Sequence, residues 1–274
     1  MDHLSSSQIN LYLLCGLKYR YQYIDKFPKP FRPSALAFGS VFHSALQWFH
    51  DEKMRGREVK IETLYRIFDA DWYLQKSEGT IRYKEGEQEM AMVNLGKEFL
   101  TMYVKDFVKP VDGCEVPFTI PLFDPSTGED FGISFQGYFD LVEDGGVIVE
   151  FKTSAQTLSA ADIDSRIQLT AYSFAYEFLN HKPPKGLKVV NFVKSKKPKM
   201  AVTETKRDKK DYQGFLYLAK EVFRGIKSEF FVPRMGYWCK DCEYADICPL
   251  WKLKSVVSSA KDESHSERPK MLQQ

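Results

Sequence analysis

The sequence predicts a single α/β domain: an α/β core with a layer of N-terminal helices on it, closed by a cysteine-bearing tail. Three observations predict it. Helical periodicity dominates up to about residue 110. From Val111 the pattern changes to short β-branched and aromatic runs alternating with helices. Near the end, "WCKDCEYADICPLW" (238–251) holds three of the five cysteines.

With 274 residues, 43% of them hydrophobic and 28% charged, the chain has the balance of a globular protein able to bury a sizeable core. A net charge of only +2 does not announce a nucleic-acid binder, so any basic surface must be local. The opening "MDHLSSSQINLY" lacks a basic segment followed by an apolar run, and no stretch approaches ~20 apolar residues. The expectation is a soluble, cytoplasmic protein with no membrane partner. In that compartment a tight cysteine cluster binds metal more often than it forms disulfides.

Taken in order, "SSSQINLYLLCGLKYRYQYIDK" (5–26) reads as a helix with a serine cap. The three prolines of "KFPKPFRP" break it. "ALAFGSVFHSALQWFHDEKMR" (35–55) is the next helix, followed by helices near 60–76 and 86–108 with a polar loop between them. "EVPFTIPLF" (115–123), "ISFQGYFDLV" (133–142) and "GVIVEFKTS" (146–154) read as strands. Residues 162–180 form a helix stopped by "HKPPKG", 186–195 and 200–207 are strands, and 209–230 is an amphipathic helix. These give a helical region at 4–110, an α/β core at 111–230 and a cysteine segment at 231–254 within one domain spanning 1–254. The polar end, 255–274, is expected to be disordered.

The most informative stretch is "GYFDLVEDGGVIVEFKTS". A three-residue turn, Asp144-Gly145-Gly146, pairs Glu143 with Val147 and sets Asp140 opposite Glu150; a two-residue turn leaves the carboxylates diagonal. Either register brings them within several ångströms. Period-2 geometry adds Lys152 to the face of Glu150, with Val149 and Phe151 on the other. A short D…E-x-K pattern also fits a solvated ion network on a surface hairpin, but "VIVEFKT" embeds these charges in an apolar strand. Two like charges so close need an offset, and a divalent cation supplies one. Mg²⁺ takes one or two carboxylates, waters and phosphate oxygens. Gln168 and Tyr172, at i and i+4, share one face of the helix that follows. His43 lies four residues after Gly39, which would allow close helix approach; alone, such a histidine is equally a core side chain.

Together these pieces resemble the PD-(D/E)XK nuclease superfamily, specifically its RecB-like branch. The resemblance rests on G-x3-H (Gly39, His43), the Asp140 of "GYFD", the "EFK" of Glu150-Phe151-Lys152, Q-x3-Y (Gln168, Tyr172) and the opening helix, and spans residues 4–251. Phe139 stands where the superfamily name has Pro. The resemblance implies a restriction-endonuclease-like mixed sheet flanked by helices and a Mg²⁺- or Mn²⁺-dependent deoxyribonuclease. By that resemblance His43, Asp140, Glu150 and the Phe151 carbonyl bind the metal. Lys152 acts on the attacking water, while Gln168 and Tyr172 position substrate and Lys152. The helical stretch 55–110, longer than in compact members, is expected as an arch or clamp over the site.

Cys239, Cys242 and Cys248 follow C-x2-C-x5-C and lack a fourth ligand. Spacing leaves both Cys15, read as mid-helix beside Gly16, and Cys114 open, and fits Zn²⁺ or an iron–sulfur cluster. A subset of RecB-like nucleases, including CRISPR-associated members and the AddB nuclease domain, pairs an N-terminal cysteine with this triplet around a 4Fe–4S cluster. That resemblance selects Cys15 and the cluster, which would clasp the first helix to the tail, and leaves Cys114 a buried thiol. It also implies DNA, single-stranded or with free ends, as substrate, in repair, recombination, phage DNA processing or CRISPR adaptation. A helicase, a recombinase or CRISPR adaptation proteins would be the partners. A structure-selective endonuclease and a non-catalytic DNA-binding or assembly subunit are the rival readings. Basic runs at 188–212 and 16–32, the latter interleaving Tyr19, Tyr21 and Tyr23 with Lys18 and Arg20, suit a single strand by stacking and phosphate contact.

Overall fold

Alternation along the strands sends successive apolar side chains to opposite faces, and here it divides them between two cores. Ile148 enters one and Val149 the other; Val189 enters the first and Val190 the second. The computed structural model describes residues 2–107 and 109–253; the expected disordered tail at 255–274 lies outside the described residues.

The strands are β1 (His3–Leu4), β2 (Arg32–Pro33), β3 (Ile81–Arg82), β4 (Val111–Phe123), β5 (Asp130–Glu143), β6 (Val147–Ser154), β7 (Gly186–Val193) and β8 (Lys199–Thr205). The helices are α1 (Ser6–Leu14), α2 (Gly16–Tyr19), α3 (Ser34–Met54), α4 (Ile61–Glu78), α5 (Glu89–Asp106), α6 (Ala160–Asp164), α7 (Ile167–Asn180) and α8 (Lys209–Lys227). Six strands form one mixed sheet, in which β4, β5 and β6 are a meander, β6 and β7 are parallel across the α6–α7 connection, and β8 returns antiparallel. Helices cover both faces: α1, α7 and α8 on the first, α3, α4 and α5 on the second. This is the restriction-endonuclease-like α/β arrangement that the sequence predicts.

Four local readings change. The first helix is interrupted at Cys15, whose backbone is extended (φ −162°, ψ 107°), and continues as α2 and a π-helical turn, Arg20–Ile24. Contact with the C-terminal segment accounts for the break. Gly16 N–H donates to Val232 O at 3.0 Å, and a Cβ on Gly16 would lie 2.9 Å from the Val232 nitrogen. Cys15 is therefore at a helix junction, not mid-helix. Second, 162–180 is two helices, and a Ser159–Asp162 capping box starts the first. Third, the helices α4 and α5 within 55–110 pack onto the fold, with Leu64, Phe68, Trp72, Phe99 and Leu100 buried against α3 and the sheet. Fourth, nothing lies within 4 Å of a Cβ built on Gly39, which faces open space instead of a packed helix.

One irregularity positions the site. On β4, Val116, Phe118, Ile120 and Leu122 face the first core, yet Cys114 faces the second. On β5, Phe139 faces the first core and Leu141 the second. The pairs Val116↔Phe139 and Cys114↔Leu141 keep one register, so both strands change face together, at Glu115 and Asp140. Glu115 makes the change with a left-handed backbone, φ +46°.

Candidate metal centre

The β5–β6 hairpin turns through Asp144-Gly145-Gly146, with both glycines at positive φ (83° and 82°), where an L side chain is disfavoured. Glu143 pairs with Val147 and Leu141 with Val149, after which the pairing stops. The same register sets Asp140 opposite Glu150, one step beyond the last pair. There the strands part, and the Asp140 carboxylate accepts from Phe151 N–H at 2.8 Å. β1 joins the same edge of β5 at Ser134 and Phe135, leaving an opening between itself and β6 where Asp140 sits.

Glu150 is 1% exposed, is ion-paired with Lys152, and neither of its oxygens accepts a hydrogen bond. Burying a carboxylate costs hydration, and here the Lys152 ammonium offsets part of that cost. From β6, Lys152 Nζ donates to Gln168 Oε1 at 2.9 Å, and Gln168 Nε2 donates to the Tyr172 hydroxyl at 2.8 Å. One face of α7 thus meets the Glu150–Lys152 face of the sheet. Burial drives the Tyr172 phenol far above its usual range, so it stays a neutral donor.

His43, on α3, approaches from the other side of the sheet. Its Nε2 is 3.2 Å from Phe151 O, while its Nδ1 is 3.5 Å from Glu115 Oε1 and 3.7 Å from Asp140 Oδ2. Burial disfavours the imidazolium, but the carboxylates of Glu115, Asp140 and Glu150 outweigh it and raise His43 to about 9. Burial, then the Glu150 charge, raises Asp140. Every neighbour of the imidazole is an acceptor, so the metal-free site satisfies them with protons. Among the described residues, His43, Glu115 and Asp140 form the one compact group of three metal-ligating side chains. The donor set of carboxylate oxygens and one imidazole fits a hard divalent cation.

All the side chains expected at this site therefore converge, from α3, β5, β6 and α7. Glu115 does not figure in the sequence reading. Its signal was the β4–β5 register, which sets Glu115 opposite Asp140, but that pairing is not visible before the sheet is known. His50 has no place here: it is fully buried, bonds the Tyr103 hydroxyl at 2.8 Å and is lowered to about 4 by burial.

The four cysteines singled out by the sequence, Cys15, Cys239, Cys242 and Cys248, line one pocket with Leu17, Tyr21 and Trp238. All are unpaired thiols, and they do not converge into a group as compact as His43–Glu115–Asp140. Cys114 is elsewhere; its Sγ donates to Asp140 O at 3.2 Å, and burial raises its pKa above the thiol range. Of the basic–aromatic run, Tyr19 is fully buried and Lys18 Nζ binds the buried Glu243 at 2.5 Å. Tyr21 packs on Phe27 and Tyr244. Tyr19 and Tyr21 are thereby engaged within the protein, while Arg20 and residues 26–30 of the run remain exposed.

A meander whose last hairpin opens over two carboxylates, feeding a parallel crossover, defines a restriction-endonuclease-like hydrolase fold. The sequence matches the PD-(D/E)XK nuclease superfamily over residues 3–249, and the chain belongs to that superfamily. Among solved structures, it is similar to a candidate exonuclease from Eubacterium rectale, at 15% identity, with TM-score 0.58 over 100% of this chain and 91% of that one. It also aligns with SSO0001 at 14% identity, with TM-score 0.39 over 88% of this chain and 95% of that one. No curated protein matches the sequence. No helix among the described residues is long and apolar enough to cross a membrane.

Proposed function

We propose that this chain is a Mg²⁺- or Mn²⁺-dependent exonuclease of the RecB-like branch, hydrolysing phosphodiester bonds in single-stranded or end-bearing DNA. The observation that carries the metal-dependent reading is the pair of buried carboxylates, Asp140 and Glu150, meeting beside His43, with the Lys152 ammonium offsetting Glu150. Exonuclease action is supported by the superfamily membership and by the name of the Eubacterium rectale neighbour.

His43, Asp140, Glu150 and the Phe151 carbonyl would hold the cation. When bound, it lowers the pKa of water and offsets charge on the phosphoryl oxygens. Asp140 is held toward the site by Phe151 N–H. Lys152 is ion-paired with Glu150, and Gln168 fixes its direction, so its ammonium can orient water and offset developing negative charge. Tyr172 anchors Gln168. The open space at Gly39, one turn before His43 on the same helix, leaves room for the substrate strand.

The 4Fe–4S reading is supported by four thiols lining one pocket beside Tyr21 and Trp238. Cys15, Cys239, Cys242 and Cys248 would then close a clasp between the α1–α2 junction and the tail. We take residues 1–254 as one nuclease domain, acting in the cytoplasm on DNA in repair, recombination, phage DNA processing or CRISPR adaptation, beside a helicase, a recombinase or adaptation proteins.

End-labelled single-stranded DNA with Mg²⁺ or Mn²⁺ tests this. Wild type should release short products from an end, and Lys152→Ala and Glu150→Ala should lose at least ~100-fold in rate. Undiminished activity in both variants would refute the assignment.

A further inference from the structure

Glu115 lies where two strands of the sheet change face, and it has no role in the reading above. Both β4 and β5 break their alternation at this rung, Glu115 with φ +46°. A left-handed backbone is uncommon for a side chain such as Glu, and such outliers concentrate at functional sites. A regular strand would carry the Glu115 side chain into one of the two apolar cores. The switch instead directs its carboxylate to His43, Oε1 lying 3.5 Å from Nδ1. Like charges directly opposite across a strand pair are destabilising, so a third carboxylate beside Asp140 and Glu150 needs an offsetting purpose.

The imidazole's two nitrogens face different things. Nε2 lies 3.2 Å from the Phe151 carbonyl oxygen. Nδ1 faces Glu115 and, farther off, Asp140 Oδ2. That Asp140 oxygen already accepts from Phe151 N–H. Glu115 is the nearer of the two carboxylates to Nδ1, at 3.5 Å against 3.7 Å for Asp140 Oδ2. A carboxylate on one ring nitrogen fixes the tautomer, orients the ring and leaves the other nitrogen's lone pair for a cation.

We infer that Glu115 is a positioning residue for the metal centre, holding His43 through Nδ1 so that Nε2 serves as a ligand. The inference rests on the proposed metal site. Mn²⁺ titrated calorimetrically into the full-length protein tests it. Glu115→Ala should weaken binding about 10- to 100-fold. Glu115→Gln should lose less, because its amide oxygen still accepts from Nδ1–H. Glu115→Gly, which adopts positive φ without strain, should melt no lower than wild type yet bind Mn²⁺ as weakly as Glu115→Ala; this separates metal binding from folding.

Wild-type Mn²⁺ affinity in Glu115→Ala and Glu115→Gly, with binding lost in Asp140→Ala, would overturn the role of Glu115 and leave the metal centre standing. Equal losses in Glu115→Gln and Glu115→Ala would overturn positioning in favour of a charge effect or direct ligation. Wild-type affinity in Asp140→Ala as well would sink the metal centre itself, and this inference with it.

Discussion

Affinity for a divalent cation should rise with pH, because a cation bound through His43 has to displace a proton. The perturbation is a pH series from 6.5 to 8.5 on wild type and on His43→Ala. His43 is raised from 6.5 to about 9, so its folded-state pKa lies above its unfolded one. The imidazolium's interactions therefore stabilise the metal-free protein fully below pH 6.5, and that stability is lost as pH rises through about 9. A cation at Nε2 competes for the same nitrogen. At pH 7, two units below the raised value, removing that proton costs about 2.7 kcal/mol, a factor of about 100 in apparent affinity. Affinity for Mn²⁺ should then increase about tenfold per pH unit, or about 30-fold between pH 7 and 8.5. Asp140, also raised, adds to the trend in the same direction. Calorimetry in buffers of different ionisation enthalpy should register at least one proton released per Mn²⁺ at pH 7, with Asp140 contributing beyond the one from His43. His43→Ala should bind more weakly and lose most of the slope. A flat or falling affinity between pH 6.5 and 8.5 in wild type would refute the protonated imidazolium as the metal-free state.

Further outcomes are expected. Gly39→Ala should stabilise the protein by about 0.5–1 kcal/mol, since the position is helical, φ is ordinary and nothing crowds the new Cβ; a melting shift of a few degrees upward would register it. Gly39→Trp should raise KM for DNA without changing Mn²⁺ affinity, and unaltered KM would remove the substrate strand from this space. Protein purified without oxygen should be brown, with about four irons per chain. Cys15→Ser should lose the iron and Cys114→Ser keep it, whereas one zinc per chain and no iron would refute the cluster.

Much of the sheet was legible because it follows from local rules. Of the two turns the sequence leaves open, the three-residue Asp144-Gly145-Gly146 turn is the one formed; it pairs Glu143 with Val147, and counting back along both strands brings Asp140 to Glu150, neighbours in either register. Period 2 then groups Glu150 with Lys152, and helical spacing groups Gln168 with Tyr172. What was not legible depends on contacts between distant segments. The break at Cys15 is imposed by Val232, more than two hundred residues away, and the π-helical turn after it packs on the same C-terminal segment. Residues 55–110 read as an excursion because their apolar stripe had no visible partner; that partner is α3 and the sheet face presented by Leu141, Val149 and Phe192. Tyr19 read as a stacking platform because alternation with lysines looks the same on a buried helix face as on an exposed one.

The face switch explains why this centre can exist inside a well-packed fold. In a regular β4–β5 pair, a cation-binding cluster at mid-strand would force charges into one core or the other, and each buried carboxylate left unpaired would cost several kcal/mol in addition to the repulsion between them. The switch at Glu115 and Asp140 avoids this by changing which core each strand fills, Val116 and Phe139 before it, Cys114 and Leu141 after. The charges sit at the crossing, where neither core is continuous. The same step ends the β5–β6 pairing, which frees Phe151 N–H for Asp140 and exposes the Phe151 carbonyl to His43. The two polar backbone groups of Phe151 are thereby both used at the site, while its ring remains 2% exposed in the second core. A replacement that restored regular alternation at 115 would have to push one of these groups out of place. It follows that the left-handed residue belongs to the metal centre as much as to the sheet.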